Sequence, residues 1–259
     1  MIAGIVDPKW SLQGLHLGSG GAIAGDGQLA RIFSPFDEAA LETALKLRDD
    51  DADVKITAFI LGAPQCEPLL RAAAAFRLDR LFRIECPPAQ LWNVSGLART
   101  LKHALDASES RPELLLIGRE FGDCDDGALP PYLAEAWGWR FAGLTQEVAR
   151  KNEDLMFLRA RGDVDEWLTL SAPIIASVTN DKSNRLRHPL LKNVMAARRA
   201  TFAVISPTEP GTSPRLLLSS VALSDPVRRQ GAGCRILAGP VESQVAELAS
   251  FLQPWRDVP

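Results

Sequence analysis

Three aspartates stand close together near the middle of the chain: Asp123, Asp125 and Asp126, within the stretch LLLIGREFGDCDDGALPPYLAEAWGW from Leu114 to Trp139. Carboxylates so placed suit ribose hydroxyls, water or a helix start, and they repel a bare phosphate that they face directly. The elements that must position them are legible. Leu114 to Ile117 is a short apolar run of the kind that forms a buried parallel strand, the Gly- and Asp-rich middle is a loop, and an amphipathic helix follows from Pro130. Such a unit sets backbone N–H groups and a helix N-terminus at the carboxyl edge of a sheet, where α/β proteins bind nucleotides. The loop is thus expected to be a ligand site; the competing expectation is an ordinary acidic turn that caps a helix.

The other reactive side chains do not converge. Cys66, Cys86, Cys124 and Cys234 lie far apart without a C-x-x-C pair, and His16, His103 and His188 do not cluster with them, so neither a metal site nor a disulfide framework is expected. The 29 basic and 32 acidic residues nearly balance, which gives no global attraction to nucleic acid or an anionic membrane. No apolar segment approaches the ~20 residues of a membrane span, and Met1 to Val6 reads as a strand rather than a signal segment. A protein of the reducing cytoplasm is expected.

Along the chain, strand and helix alternate. After Met1 to Val6, a glycine-rich excursion from Asp7 to Phe33, with GSGG at Gly18 to Gly21, suggests a hairpin and lacks the Gly-Lys-Ser/Thr of a P-loop. Ser34 is an N-cap, Pro35 suits the first helical position, and Asp37 and Glu38 the first turn of a helix through Leu47. Strands are expected at Val54 to Leu61, Leu81 to Ile84 and Leu114 to Ile117, with helices at Gln65 to Phe76 and Leu91 to Leu105 between them. This alternation predicts right-handed crossovers and a doubly wound parallel sheet. Beyond Gly143, Leu155 to Arg161 and Trp167 to Leu170 predict a small antiparallel addition turning at Gly162-Asp163, and Pro173 to Val178 a further buried strand. A basic segment from Lys182 to Arg199 carries Leu190, Leu191, Val194 and Met195 on a short helix. Because no aromatic residue interleaves with its cations, it reads as a docking surface rather than an RNA site. A linker from Pro207 to Pro214 leads to an arm with a strand near Leu216 to Leu223 and a helix from Val241 to Leu252.

Six stretches in register resemble the β subunit of electron transfer flavoproteins: SPFDEAALETALKL from Ser34, GAPQCEPLLRAAAAFRLDR from Gly62, the acidic loop after Gly118, Asn184 to Arg187, LKNVMAARR from Leu191, and DPVRRQGAG from Asp225. The central loop and helix resemble a divergent branch associated with bacterial amine demethylation. The resemblance implies an adenine-nucleotide-binding, stress-protein-like α/β domain over residues 1–200, including a partner-recognition segment at 184–199. Residues 201–259 are then a linker and arm wrapping an α subunit. It further implies a heterodimer in which the α subunit binds most of the FAD, electrons enter from a flavin dehydrogenase, and they leave to a membrane quinone oxidoreductase or an iron–sulfur acceptor. No catalytic acid or base is expected.

By the same resemblance, Phe36 lies near the flavin's dimethylbenzene edge, and Leu191 anchors the partner, flanked by Arg187 and Lys192. Ser34, Cys66, Asp125, Gly127, Ala128 and Leu129 match a site that in similar chains holds AMP or, in bifurcating ones, a second FAD. The polar side chains that would bond phosphate and adenine are absent at residues 127–129, so AMP, a second FAD or neither stays open there. The rival reading is a stand-alone adenine-nucleotide-binding regulator of the same sheet type. An adenylating hydrolase is disfavoured, because no Ser-Gly-Gly-x-Asp loop follows the first strand.

Overall fold

The computed structural model describes residues 1–9, 16–17, 23–24, 29–86, 91, 93–123, 125, 127–152, 154–206 and 236–256. The chain divides into two compact units, Met1–Val221 and Ala222–Pro259.

The first unit opens with β1 (Ile5–Val6), β2 (His16–Leu17), β3 (Ile23–Ala24) and β4 (Arg31–Ile32), in which β1 pairs β4 and β2 pairs β3, both antiparallel. The expected hairpin is therefore present. The first apolar run behaves differently from a single strand. Ile2 bridges Ile60 in parallel, its N–H donating to Phe59 O and its carbonyl accepting from Leu61 N, both at 2.9 Å, before the chain turns at Gly4. Gly4 has φ +68, and a Cβ there would lie 2.7 Å from Leu69 Cδ2 and 2.9 Å from Ile32 O, so only glycine fits this crossing.

Next come α1 (Pro35–Asp50), β5 (Thr57–Leu61), α2 (Glu67–Ala74), β6 (Arg80–Ile84), α3 (Val94–Ala107), β7 (Leu114–Gly118) and α4 (Leu129–Trp137). They are followed by β8 (Arg140–Lys151), β9 (Asp154–Arg161), β10 (Val164–Leu170), β11 (Ile174–Val178), α5 (Leu191–Ala197) and β12 (Ala203–Ile205). Parallel strands form one sheet in the order β12-β6-β5 and, with antiparallel β9 and β10 appended, a second in the order β10-β9-β8-β11-β7. Side chains alternate along β7: Leu115 and Ile117 pack with α3 and α4 in the largest cluster, through Leu97, Leu101, Leu129 and Leu133, whereas Leu116 packs with Ala39 and Ala40 of α1. Helices thus cover both faces, as the alternating sequence predicts.

The terminal unit contributes α6 (Val241–Arg256). The expected strand near Leu216 to Leu223, the linker from Pro207 to Pro214, the DPVRRQGAG stretch and GSGG lie outside the described residues.

Candidate functional site

The ends of β5 and β7, the Gly4 crossing and the start of α1 meet at the carboxyl edge of the parallel strands. Ser34 caps α1, its Oγ accepting from Asp37 N at 2.9 Å, while Asp37 Oδ2 accepts from Ser34 N at 3.1 Å. This is a reciprocal capping box built from a short acid. The same Oδ2 accepts from Gly4 N at 3.1 Å, so the cap also pins the crossing; Oδ1 has no partner. Burial pushes the Asp37 carboxyl above its ordinary value, against the hydrogen bonds from Ser34 and Gly4.

Phe36 sits between these capping residues, half-buried. Gly118 lies against it: a Cβ at Gly118 would be 2.7 Å from Phe36 Cβ and 2.9 Å from its carbonyl carbon. The next residue, Arg119, lays its guanidinium over the Phe36 ring, with Cζ 4.8 Å from the centroid, and pairs with the adjacent Glu120. Its backbone N–H is tied to Val178 O at 2.8 Å.

Among the described residues of the acidic loop, Asp123 and Asp125 spend their charges within the protein. Asp123 accepts from Val6 N at 3.0 Å and from Arg31 Nη1 at 2.9 Å. Asp125 Oδ1 accepts from the N–H groups of Gly127, Ala128 and Leu129 at 3.2, 2.7 and 3.2 Å, so its carboxylate closes the turn that leads into α4, whose N-cap position, Ala128, has no side-chain cap of its own. Burial raises the Asp125 carboxyl, opposed by those same hydrogen bonds. The geometry is that of the helix-capping turn weighed against the ligand site. A phosphate would have to compete with Asp125 for the three amides, and Gly127, Ala128 and Leu129 add no polar side chain. Ser34 Oγ is already bonded to Asp37 N. Cys66, at the start of α2, is buried, and burial pushes its thiol up. These residues do not fit a phosphate held by loop amides, and Asp126 is outside the described residues.

The basic segment is held rigidly and leaves its apolar tip bare. A turn at Lys182–Asn184 buries Asn184, whose Nδ2 donates to Thr179 O at 2.9 Å and Gln146 O at 3.2 Å. Arg187 then clamps the segment to α1, with Nη2 2.7 Å from Glu42 Oε1 and Nη1 2.5 Å from Asp49 Oδ2. Leu191, the first residue of α5, is 76% exposed, beside Leu190 at 61% and Met195 at 51%. Lys192 is exposed next to it. Arg187 therefore faces inward to two carboxylates while Leu191 and Lys192 face solvent. The sequence offered no sign of the Glu42 and Asp49 partnership, because these acids lie on an unremarkable helix face far from Arg187 in the chain.

Fold and site together define a class: a doubly wound α/β chain with an antiparallel extension, a self-capped acidic loop at the strand ends, and a rigid basic segment presenting an apolar tip. The model of the electron transfer flavoprotein domain matches residues 26–210. An electron transfer flavoprotein subunit beta from Homo sapiens is 28% identical over 205 residues, covering 79% of each chain. One from Dictyostelium discoideum is 26% identical over 199 residues, or 77% of this chain and 78% of that protein. One from Bradyrhizobium diazoefficiens is 26% identical over 239 residues, covering 89% and 90%. The chain belongs to the electron transfer flavoprotein family. Among the described residues no helix is long and apolar enough to cross a membrane.

Proposed function

We propose that the chain is the β subunit of a heterodimeric electron transfer flavoprotein and works as an electron carrier without substrate turnover of its own. It acts in the cytoplasm, with an α subunit holding most of the FAD. When bound, that flavin supplies the redox chemistry. On this chain, Phe36 offers an apolar surface with a cation stacked behind it, which suits contact with the flavin's hydrocarbon edge and restricts water there. Residues 1–200, with β12 at Ala203–Ile205 completing one of their sheets, form the carrier domain, and the rest of 201–259 is the linker and arm that wrap the α subunit.

Electrons enter from a flavin dehydrogenase and leave to a membrane quinone oxidoreductase or an iron–sulfur acceptor. The observation that carries the partner-docking part of this reading is Leu191, 76% exposed on a segment fixed by Arg187 and flanked by Lys192. An exposed apolar tip beside a solvent-facing lysine suits a small, short-lived redox complex, of the class that buries less than about 1,200 Å². The capped amides at residues 127–129 support the reading that neither AMP nor a second FAD is held by its phosphate at the Asp125 loop.

Co-expression with a candidate α subunit tests the carrier reading. A yellow heterodimer that accepts electrons from a dehydrogenase is expected; colourless chains that elute separately overturn it.

A further inference from the structure

Arg119 is held more firmly than an exposed arginine needs to be. Its backbone N–H is fixed to Val178 O at 2.8 Å, and Glu120 takes its guanidinium from the side. Its Cζ stands 4.8 Å from the centroid of Phe36. Phe36 cannot retreat, because Gly118 lies against its Cβ and carbonyl carbon and the Ser34–Asp37 capping box fixes the backbone on either side. The positive end of the Arg119–Glu120 pair thereby rests against one face of the ring, and its field acts through space on whatever contacts the other side, reduced by the Glu120 carboxylate.

We infer, resting on the placement of Phe36 against the flavin proposed above, that Arg119 is a positioning residue for electron transfer: its charge raises the reduction potential of the flavin held by the α subunit. An electron passing from the donor dehydrogenase to the flavin brings one unit of negative charge to the far side of Phe36, and no proton need accompany it. The donor loses that electron. The Arg119 guanidinium opposes the charge build-up, and Glu120 moderates the effect from outside. Both side chains are about two-fifths exposed, so solvent screening limits the effect to about three- to tenfold in the reduction equilibrium.

The test measures the flavin midpoint potential and absorption spectrum in the reconstituted heterodimer, with FAD content and thermal melting as folding controls. Arg119→Gln is expected to lower the potential by the equivalent of three- to tenfold, and Arg119→Lys is expected to restore most of it. Glu120→Gln is expected to move the potential the opposite way, which a merely structural role for either residue does not produce. Equal shifts for Arg119→Gln and Arg119→Lys, or no shift for Arg119→Gln, overturn the inference. Phe36→Leu separates the two levels. If it alters the flavin spectrum while the Arg119 variants leave the potential alone, Phe36 stands at the flavin and Arg119 has no electrostatic part. If Phe36→Leu leaves spectrum and potential unchanged, the placement of Phe36 fails and the role of Arg119 fails with it.

Discussion

Arg187 and Glu42, 145 positions apart in the chain, are joined through three hydrogen bonds between their side chains, with Nε 3.0 Å from both carboxylate oxygens and Nη2 2.7 Å from Oε1. The Glu42 side chain is only 6% exposed, so the arginine stands in for water as its hydrogen-bond partner. Removing the arginine leaves a nearly buried carboxylate without its cation. Arg187→Ala is expected to lower stability by about 1.5–3 kcal/mol, the range for hydrogen bonds to charged groups. Arg187→Lys should recover only part, because an ammonium cannot reproduce the planar fork. Denaturant titration checks both, and a wild-type midpoint for Arg187→Ala contradicts the clamp.

Leu191 is the outward counterpart of that clamp. Truncating a central apolar anchor of an interface typically costs at least about 2 kcal/mol, or some thirtyfold. Leu191→Ala is expected to slow reduction by the partner dehydrogenase by about tenfold or more while leaving FAD content and the melting temperature unchanged. Lys192→Gln should act differently, reducing the association rate most at low ionic strength. Stopped-flow reduction across a salt series distinguishes the two, and an unchanged rate for Leu191→Ala removes it as an anchor.

The acidic loop predicts a closed turn, not a phosphate cradle. Asp125→Ala frees the amides of Gly127, Ala128 and Leu129 at the start of α4 and is expected to destabilise the protein by about 1–2 kcal/mol, the upper range for side chains that bond the amides of a helix start. Acid denaturation of the purified wild-type heterodimer should release FAD and no stoichiometric AMP. Recovery of one AMP per heterodimer contradicts the reading that Asp125 has taken the place of a phosphate.

How far the sequence exposed these relationships depends on the range of the interactions. The α1 cap at Ser34, the buried strand at Leu114 to Ile117 and the β9–β10 turn are local patterns, and the sequence displayed them. Long β8, RFAGLTQEVARK, was not expected, because half of its residues are polar and the buried ones, Ala142, Thr145 and Val148, fall three apart instead of alternating. β12 is three residues long and exists through pairing with β6. The Arg187–Glu42 and Arg119–Phe36 contacts are products of tertiary folding, and no periodicity announces them. The acidic loop was legible as a loop at the strand ends, but whether its amides faced a ligand or its own Asp125 depended on side-chain geometry that spacing does not encode.

Asp37 predicts a pH dependence with a defined sign. Its carboxyl is buried and raised above the ordinary 3.8, chiefly by desolvation, while hydrogen bonds from Ser34 and Gly4 and the Met1 ammonium pull the other way. The folded protein therefore holds this proton more tightly than the unfolded chain does. The contribution of Asp37 to stability falls as pH rises from 3.8 to the folded value and is level above it. Asp37→Asn cannot ionise and should remove that slope. Melting temperatures of the two proteins across the acid range should converge at the lowest pH and separate as it rises; parallel curves contradict the assignment.

Helix α6 is apolar along one side. Its exposed apolar residues Val241, Val245, Leu248 and Leu252 recur at intervals of four, three and four, so they line one stripe of the helix, with Phe251 at its border. A stripe of that width left in water is the pattern of a helix that docks into an apolar groove, read through anchors at such intervals. With the arm proposed to bind the α subunit, Leu248→Asp places a charge in the middle of the stripe, where burial without a partner costs several kcal/mol. Heterodimer affinity is expected to fall by at least about a hundredfold, with loss of yellow material from the joint peak. The isolated chain should melt as before, because Leu248 is 47% exposed within it. Size-exclusion chromatography followed at flavin wavelengths decides the outcome: an intact yellow heterodimer carrying Leu248→Asp shows that α6 does not bind the α subunit through this face.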